Sequence, residues 1–221
     1  MDFSAALQKI AIFLPGFLLA VVFHEVAHGL MALKFGDETA KHEGRLTLNP
    51  AAHFDSVGSL LVPMVLFVTT GFLFGWAKPV PVNPMRFKKF REGMFWVSFA
   101  GPLTNFILAI LSALICALLL VFVDPSFYLF EPFVKMLTFS ASINMALGIF
   151  NLIPLPPLDG SKMVQAFLDY NQSRKFEELG RYSFFILIAL MMTGGLSYIF
   201  TPGQVLINKL LYFFIYLFGQ A

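Results

Sequence analysis

Charged residues and cysteine are scarce in this sequence. Lys, Arg, Asp and Glu together make up 13% of the 221 residues, which is about half of the roughly 25% found in soluble domains. Apolar residue types reach 58%, so a water-soluble globule of this length would lack the polar residues that its surface needs. We therefore exclude an ordinary soluble domain and expect much of the apolar surface to face lipid.

Low net charge, a single cysteine and the lack of recognisable signals or repeats exclude further classes of function and architecture. The net charge is only +2, and no patch of basic and aromatic residues points to nucleic acid as a partner. Cys116 is the single cysteine, so an internal disulfide is impossible. No signal-peptide cleavage site, internal repeat or second soluble domain is recognisable. We predict one membrane-embedded domain over residues 1–221, with a core at 7–170 and C-terminal helices at 180–219.

Apolar stretches recur along the chain. About 20 such residues cross a hydrocarbon core of about 30 Å. The stretches lie at 11–33, 57–76, 94–123, 133–153, 182–200 and, too short for a certain crossing, 205–218. Between the first two, Gly44–Asn49 alternates polar and apolar residues, which is typical of a strand. The predicted fold class is an all-α polytopic membrane protein with about five to six transmembrane or re-entrant helices and a small interfacial β-hairpin.

The first apolar stretch contains the pattern HEVAH, from His24 to His28. A spacing of four residues on a helix places both imidazoles on one face, where they can bind one metal ion, and Glu25 can then reach a water on that ion. Burying these three groups in lipid for packing alone would cost several kcal/mol. We therefore interpret the pattern as a zinc site.

A catalytic zinc has three protein ligands and one open position. We predict Asp159, in the segment LDG, as the third ligand for one Zn²⁺ per chain. Asp-Gly often marks a simple turn. Here, however, it follows an apolar stretch and three prolines, and an ionised carboxylate at that depth needs a cation.

The motifs HEVAH, AGPLTN (Ala100–Asn105) and NLIPLPPLDG (Asn151–Gly160) together resemble the site-2 protease family of intramembrane zinc metalloproteases, peptidase family M50. The segments GRLTLNPAAHFD and GWAKPVPVNP further resemble its compact prokaryotic branch. The resemblance implies that His24, His28 and Asp159 bind zinc. It further implies that Glu25 is the catalytic base and that peptide bonds are cleaved within or beside a transmembrane segment. Asn151 and Pro157 are implied to belong to a loop that engages the substrate.

Some roles have two interpretations. Asn105 or Asn151 would supply an amide N–H to the oxyanion of the reaction, or would serve as an interhelical hydrogen-bond donor and a turn residue, respectively. GRLTLN or KPVPVNP would pair with an unwound substrate by strand addition, or would close the mouth of the site. His53 is expected to be a hydrogen-bonded interfacial histidine rather than a ligand.

Charge predicts the orientation in the cell membrane. Residues 77–93 contain five basic residues, whereas 124–132 contain none, so the first loop is expected in the cytoplasm and the second outside. If Asp159 joins the histidines, the N-terminus is external and the site faces the cytoplasm. Both loops that flank 57–76 then lie on the cytoplasmic side, so this stretch is predicted to be re-entrant.

The predicted function is intramembrane zinc proteolysis of membrane proteins. The expected partners are the lipid bilayer and a substrate with a transmembrane helix, and the oligomeric state is unknown. The alternative is a membrane metal transporter that uses the same ligands, and a non-catalytic scaffold is a second alternative. A glutamate beside paired histidines suits water activation better than ion transfer.

Overall fold

The computed structural model describes residues 3–55, 58, 61 and 78–220 of the chain. In these residues the α-helices are, in chain order, α1 (Phe3–Phe35), α2 (Thr39–His42), α3 (Phe90–Phe122), α4 (Phe130–Asn151), α5 (Asp159–Gln165), α6 (Tyr170–Glu178), α7 (Ser183–Met192) and α8 (Gly195–Gly219). Short 3-10 turns lie at Pro50–His53, Pro84–Arg86 and Leu179–Tyr182.

Among the described residues, three helical segments are long and apolar enough to cross a membrane: Ile10–Phe35 within α1, and the whole of α3 and α4. A fourth is counted only when Tyr170–Met192 and Gly195–Gly219 are taken together, although they are bent by 71°. The described part of the chain therefore contains three or four candidate spans, and one of the five to six predicted helices, 57–76, lies outside it apart from Gly58 and Leu61. The all-helical membrane class is confirmed.

The directions of α1 and α4 follow from their contacts at two levels. The rings of Phe13 and Phe139 lie 4.5 Å apart. Farther along α1, His24 contacts Asp159, which follows the C-terminal end of α4. The two helices therefore run in the same direction, and their C-terminal ends lie at one end of the bundle.

Helix α3 runs in the opposite direction to α1. His24 contacts Asn105, whereas His28, one turn later, contacts Val97, which is earlier in α3. The N-terminal end of α3 thus lies where α1 ends, and the Lys88 N–H donates to the Phe35 carbonyl at 2.9 Å. We call this end of the bundle, with the loops that join it, the site end.

The predicted β-hairpin at Gly44–Asn49 is wrong, because residues 44–49 form no strand. Arg45 instead donates through Nη2 to the carbonyls of Lys78 at 2.7 Å and Pro79 at 3.3 Å. The ring of His53 donates to the Thr47 carbonyl at 2.8 Å. Gly44 has a φ of +64°, which departs from strand geometry at the start of the segment. In the described contacts Arg45 and Thr47 bond to neighbouring loops, and no strand partner is seen.

The predicted re-entrant stretch 57–76 lies outside the described residues, apart from Gly58 and Leu61. Its two flanks are in contact, since the Lys78 N–H donates to the His53 carbonyl at 2.9 Å. Both flanks therefore lie at the site end. The re-entrant path of residues 57–76 remains a prediction.

The predicted span at 182–200 is interrupted. Gly194 adopts a φ of +74°, which separates α7 from α8 and which residues other than glycine rarely adopt. Helix α7 has 10 residues, and at 1.5 Å per residue it reaches only about 15 Å, half of a bilayer core. A continuous apolar sequence therefore forms two differently directed helices.

Helix α8 is longer than the predicted segment 205–218, which lies within it. Phe200 near its start packs against Phe150 at the end of α4, with ring centroids 6.5 Å apart. Phe218 near its end packs against Phe122 at the end of α3, at 6.4 Å. Helix α8 thus runs from the site end to the opposite end of the bundle.

Small residues allow the long helices to approach closely, as is typical of packing between membrane helices. The cluster that joins α3, α4 and α8 consists of Ala109, Ala113, Ala141, Met145 and Ile207. Each of these side chains is at most 5% exposed. This packing fixes the framework on which the site-end residues are placed.

Candidate metal centre

Two histidines of α1 and one aspartate of α5 converge at the site end. The Nε2 atoms of His24 and His28 are 3.0 Å apart. The Oδ2 atom of Asp159 lies 3.2 Å from the first and 3.1 Å from the second. All three residues are buried, with exposed fractions of 7–8%. The predicted ligands therefore form a nearly equilateral triangle of donor atoms.

The dimensions of this triangle fit a small divalent ion. Zinc bonds nitrogen and oxygen at about 2.0–2.2 Å in a tetrahedron, so its ligand atoms are separated by roughly 3.3 Å. The observed separations of 3.0–3.2 Å are close to that value. In the part of the chain that the structure describes, this is the group of His, Cys, Asp or Glu residues that could hold a metal ion.

The hydrogen bonds of the outer ring nitrogens set the tautomers of both histidines. Nδ1 of His28 faces the Val97 carbonyl at 2.6 Å, and Nδ1 of His24 faces the Asn105 side-chain oxygen at 2.6 Å. Both partners accept, so each Nδ1 carries a proton, and in a neutral ring the Nε2 atom then presents a lone pair. Two lone pairs and a carboxylate oxygen directed at one another require a cation between or above them.

Gly101 provides the space beside this triangle. A Cβ atom at Gly101 would lie 2.7 Å from His24 Nε2 and would also overlap His28 Nε2, distances at which side-chain atoms clash. The absence of a side chain in α3 therefore leaves room where a metal ion or its open coordination position would lie. Gly101 belongs to the motif AGPLTN. The sequence motif alone does not indicate that this glycine makes room beside the histidines.

The turn before α5 places Asp159 against the histidines. Leu158 N–H donates to the Leu155 carbonyl at 2.9 Å, and the Ser161 hydroxyl donates to the Leu158 carbonyl at 2.6 Å. Gly160 lies so close to the Leu152 backbone that a Cβ atom would overlap it. Gly160 therefore allows this segment to approach the Leu152 backbone closely, and Asp159 supplies the carboxylate.

Asp159 is ionised in this setting. Burial raises the pKa of its carboxyl group, but the rings of His28 and His24, when protonated, lower it more by their charge and hydrogen bonds, so that the pKa lies far below its usual range. The second oxygen, Oδ1, lies 3.6 Å from the Lys162 ammonium one turn later. The carboxylate thus uses separate oxygens toward the two histidines and toward Lys162.

Glu25 lies in a cleft of about 470 Å³ that also contains the three metal-binding candidates. Its Oε2 accepts a hydrogen bond of 2.7 Å from the Val80 backbone N–H. Val80 belongs to the extended segment Lys78–Asn83, which we call the strap. The strap is also held by Asp37, whose Oδ2 accepts from the Asn83 N–H at 2.6 Å.

The three residues predicted to bind substrate occupy different environments. Asn151 and Pro157 line the cleft, and the Asn151 amide donates to the Leu147 carbonyl at 3.0 Å. Asn105 is 0% exposed and does not line the cleft. The structure thus brings two of the three to the cleft and places the third behind His24.

Sequence reasoning missed Val80 and Asn144. The role of Val80 depends on its backbone N–H, which no residue type encodes. Asn144 is 0% exposed in α4 and accepts a hydrogen bond of 2.9 Å from Asn105. A fully buried amide in an apolar stretch is the kind of residue that membrane rules mark as functional, so that rule would have found it.

His53 lies apart from the metal-binding group. It is 2% exposed and its ring is engaged by the Thr47 carbonyl. His42 is an exposed residue paired with Glu38 at 3.2 Å. Neither histidine belongs to the cluster of candidate metal ligands found among the described residues.

Comparisons with known proteins agree with this geometry. The model of peptidase family M50 matches residues 126–194, which include Asp159. YwhC of Bacillus subtilis is 36% identical over 186 residues, covering 84% of this chain and 82% of that protein. The Rip2 proteins of Mycolicibacterium smegmatis and Mycobacterium tuberculosis are each 29% identical, covering 83% of this chain and 68% of their own length.

These relatives are classed by their names among the zinc metalloproteases. No solved structure gives a significant match to the chain. The identity to YwhC extends over most of both proteins. The chain therefore belongs to peptidase family M50.

Proposed function

We propose that the chain is an intramembrane zinc metalloprotease in which His24, His28 and Asp159 bind one Zn²⁺ and Glu25 is the catalytic base. One observation carries the proposal: three metal-binding atoms 3.0–3.2 Å apart lie in the same cleft as the glutamate of the HEVAH pattern. The names of the relatives support the same activity, and none of them names a transporter.

The chemistry divides between the ion and the protein. Zinc, when bound, lowers the pKa of a water molecule toward about 7 and polarises the scissile carbonyl. Glu25 takes the proton of the attacking water and then transfers it to the leaving amine. The Val80 N–H holds Glu25 through Oε2, so the carboxylate keeps a fixed direction while its other oxygen receives the proton.

Asn105 is better suited to positioning than to contact with the oxyanion. Its side-chain oxygen faces His24, and its amide nitrogen donates to the Ala20 carbonyl at 3.1 Å and to Asn144 at 2.9 Å. Both amide protons are therefore committed inside the bundle. Asn151 remains the candidate oxyanion donor, because it lines the cleft.

The cleft favours an extended, apolar substrate segment. Its apolar wall consists of Val80, Val82, Phe87, Met94, Val97 and Leu158. A transmembrane substrate must unwind locally to expose a peptide carbonyl to the site. The proposed substrate is therefore a membrane protein whose helix can open near the cleft.

The strap offers few free donors for strand addition by a substrate. It contains four backbone N–H groups, because Pro79 and Pro81 have none. Three of the four, in Lys78, Val80 and Asn83, donate to His53, Glu25 and Asp37. Substrate pairing along the strap would thus need the Val82 N–H or release of an existing bond.

We place the site end toward the cytoplasm. Lys88, Lys89 and Arg91 lie at the start of α3, at the site end, whereas Asp124 and Glu131 flank the opposite ends of α3 and α4. Basic residues are retained on the cytoplasmic side of membrane proteins. The protein is accordingly proposed to lie in the cell membrane with an external N-terminus.

The purified chain tests the proposal. Wild-type protein in lipid nanodiscs is expected to retain one zinc per chain and to cleave a membrane-protein substrate. The Glu25→Gln variant should keep the zinc and lose cleavage, whereas Glu131→Gln, at the opposite end, should keep both. Zinc flux into vesicles that survives Glu25→Gln would favour transport, and wild-type protein without zinc would overturn the proposal.

A further inference from the structure

Asn144 is a buried amide in α4 that the proposed reaction does not use. It is 0% exposed, and its Nδ2 donates to the Ser140 carbonyl at 2.9 Å. A backbone carbonyl can only accept a hydrogen bond. This contact therefore fixes the orientation of the Asn144 side chain and directs its Oδ1 toward α3.

The fixed oxygen of Asn144 in turn orients Asn105. Oδ1 of Asn144 accepts from Asn105 Nδ2 at 2.9 Å, and the Ala20 carbonyl accepts from the same nitrogen at 3.1 Å. With its nitrogen facing two acceptors, Asn105 presents its oxygen to His24 Nδ1 at 2.6 Å. A continuous series of hydrogen bonds thus extends from the α4 backbone to a candidate metal ligand.

The orientation of Asn105 determines which nitrogen of His24 carries the proton. If the amide were turned by 180°, its N–H₂ group would face Nδ1 and would favour the tautomer with the proton on Nε2. That proton would point at Asp159 and His28, where the metal ion is expected. His24 would then lose the lone pair with which it binds zinc.

We propose that Asn144 is a positioning residue that keeps His24 in its metal-binding tautomer by holding the amide of Asn105. The inference rests on the proposed zinc site and extends it to a residue remote from the cleft. Loss of a partner that orients a metal ligand typically lowers metal affinity about 10–100-fold. Because Asn144 acts through Asn105, we expect its loss to weaken zinc binding about tenfold.

The test compares Asn144→Leu and Asn144→Ala with Asn144→Asp. The first two remove the acceptor for Asn105. A protonated aspartic acid preserves both contacts, since its O–H donates to Ser140 and its carbonyl accepts from Asn105. We expect zinc affinity, measured by chelator competition, to fall about tenfold in Asn144→Leu and Asn144→Ala and to remain within threefold of wild type in Asn144→Asp.

Gln204→Leu is the matched control. It also removes an interhelical amide bond, from Gln204 Nε2 to the Ser142 carbonyl at 3.0 Å, but that bond has no connection to His24 among the described contacts. Zinc affinity should stay within twofold of wild type. Equal losses in Gln204→Leu and Asn144→Leu would show a general packing effect and would overturn the inference.

Nitrogen-15 NMR of the histidine rings in metal-free wild-type protein provides a test that requires no folded variant. His24 is expected to carry its proton on Nδ1, and a folded Asn144→Leu or Asn144→Ala variant to show increased protonation of Nε2. A neutral His24 ring in the wild-type protein with its proton on Nε2 and none on Nδ1 would overturn the inference. Wild-type protein that binds no zinc would instead refute the proposed function, while the tautomer would still be measurable.

Discussion

The Val80 backbone N–H donates a hydrogen bond of 2.7 Å to Glu25 Oε2. The strap is thereby joined to the helix that carries the proposed catalytic base. Hydrogen bonds to charged groups contribute about 1.5–3 kcal/mol, so this single contact has enough energy to set the direction of the carboxylate. The strap is accordingly a part of the proposed catalytic site as well as one wall of the cleft.

Removal of that donor should reduce catalysis with little effect on zinc. Val80→Pro eliminates the backbone N–H, whereas Val80→Ala shortens the side chain and keeps it. We expect kcat to fall at least about tenfold in Val80→Pro relative to Val80→Ala, because Glu25 loses its orienting bond. Cleavage rates at saturating substrate and zinc content measure the two effects, and equal kcat values in the two variants would contradict this role.

A methyl group at residue 101 should block the metal site. Gly101→Ala places a Cβ atom against the Nε2 atoms of both histidines, so we expect zinc affinity to fall by at least about 100-fold. Gly219→Ala is the control, because a Cβ atom there has no neighbour within 4 Å. Chelator competition measures both variants. Stoichiometric, tightly bound zinc in Gly101→Ala would contradict the proposed position of the ion.

Variants of two aspartates distinguish the loss of a metal ligand from the loss of a helix cap. Asp159→Asn removes a charged ligand and is expected to lower zinc affinity more than about 100-fold. Asp169 caps α6, with its carboxylate accepting from the Gln172 N–H at 2.8 Å. Asp169→Asn should leave zinc affinity unchanged, and loss of zinc from both variants would assign the effect to folding rather than coordination.

Asp37 is expected to make stability depend on pH below the usual carboxyl range. Burial raises the pKa of Asp37, but hydrogen bonds from Thr39 and the Asn83 N–H lower it more, so its pKa lies below the usual value. The stabilisation is therefore complete above about pH 3.9, the value of an unfolded aspartate. It is lost as the pH falls through the lower pKa of the folded state.

The variant Asp37→Asn measures this contribution. At pH 7 we expect the free energy of unfolding of this variant to be about 1–3 kcal/mol lower than that of wild type, because the hydrogen bonds lose a charged acceptor. The difference should shrink as the pH is lowered below about 4. Thermal unfolding in detergent at several pH values gives the comparison with Glu43→Gln as a surface control, and a difference independent of pH would refute the assignment.

Two exposed residues report the orientation of the bundle. Met85 and Tyr128 are 86% and 89% exposed and lie at opposite ends of α3. In a Cys116→Ala background, Met85→Cys should react with a membrane-impermeant thiol reagent only from the cytoplasmic side and Tyr128→Cys only from outside. Labelling of both from the same side would contradict the proposed topology.

The candidate metal ligands could be proposed from the sequence because their chemistry is local. The spacing of His24 and His28 fixes one helix face, and Asp159 is an isolated carboxylate at the end of an apolar stretch. Each required only residue type and helix period. The observed triangle of ligand atoms agrees with that reasoning.

Other features depended on tertiary contacts that the sequence does not specify. Residues 44–49 alternate as a strand does, but Arg45 bonds to the Lys78 carbonyl and the Thr47 carbonyl accepts from His53, so among the described residues they contact loops and no strand partner. The apolar stretch 182–200 is divided because Gly194 has a positive φ. From the sequence, Asn105 is expected to donate a hydrogen bond to the oxyanion or to another helix. Its contact with His24 depends on how α1, α3 and α4 pack.

The convergence of His24, His28 and Asp159 also makes the stability of the folded protein depend on the supply of zinc. Three electron-rich atoms at about 3 Å repel one another without a cation, and an ion that binds only the folded chain stabilises it by mass action. Depletion of zinc should therefore lower the melting temperature as well as the activity. A cell starved of the metal would hold fewer intact copies of the protein, each of them more exposed to quality-control degradation.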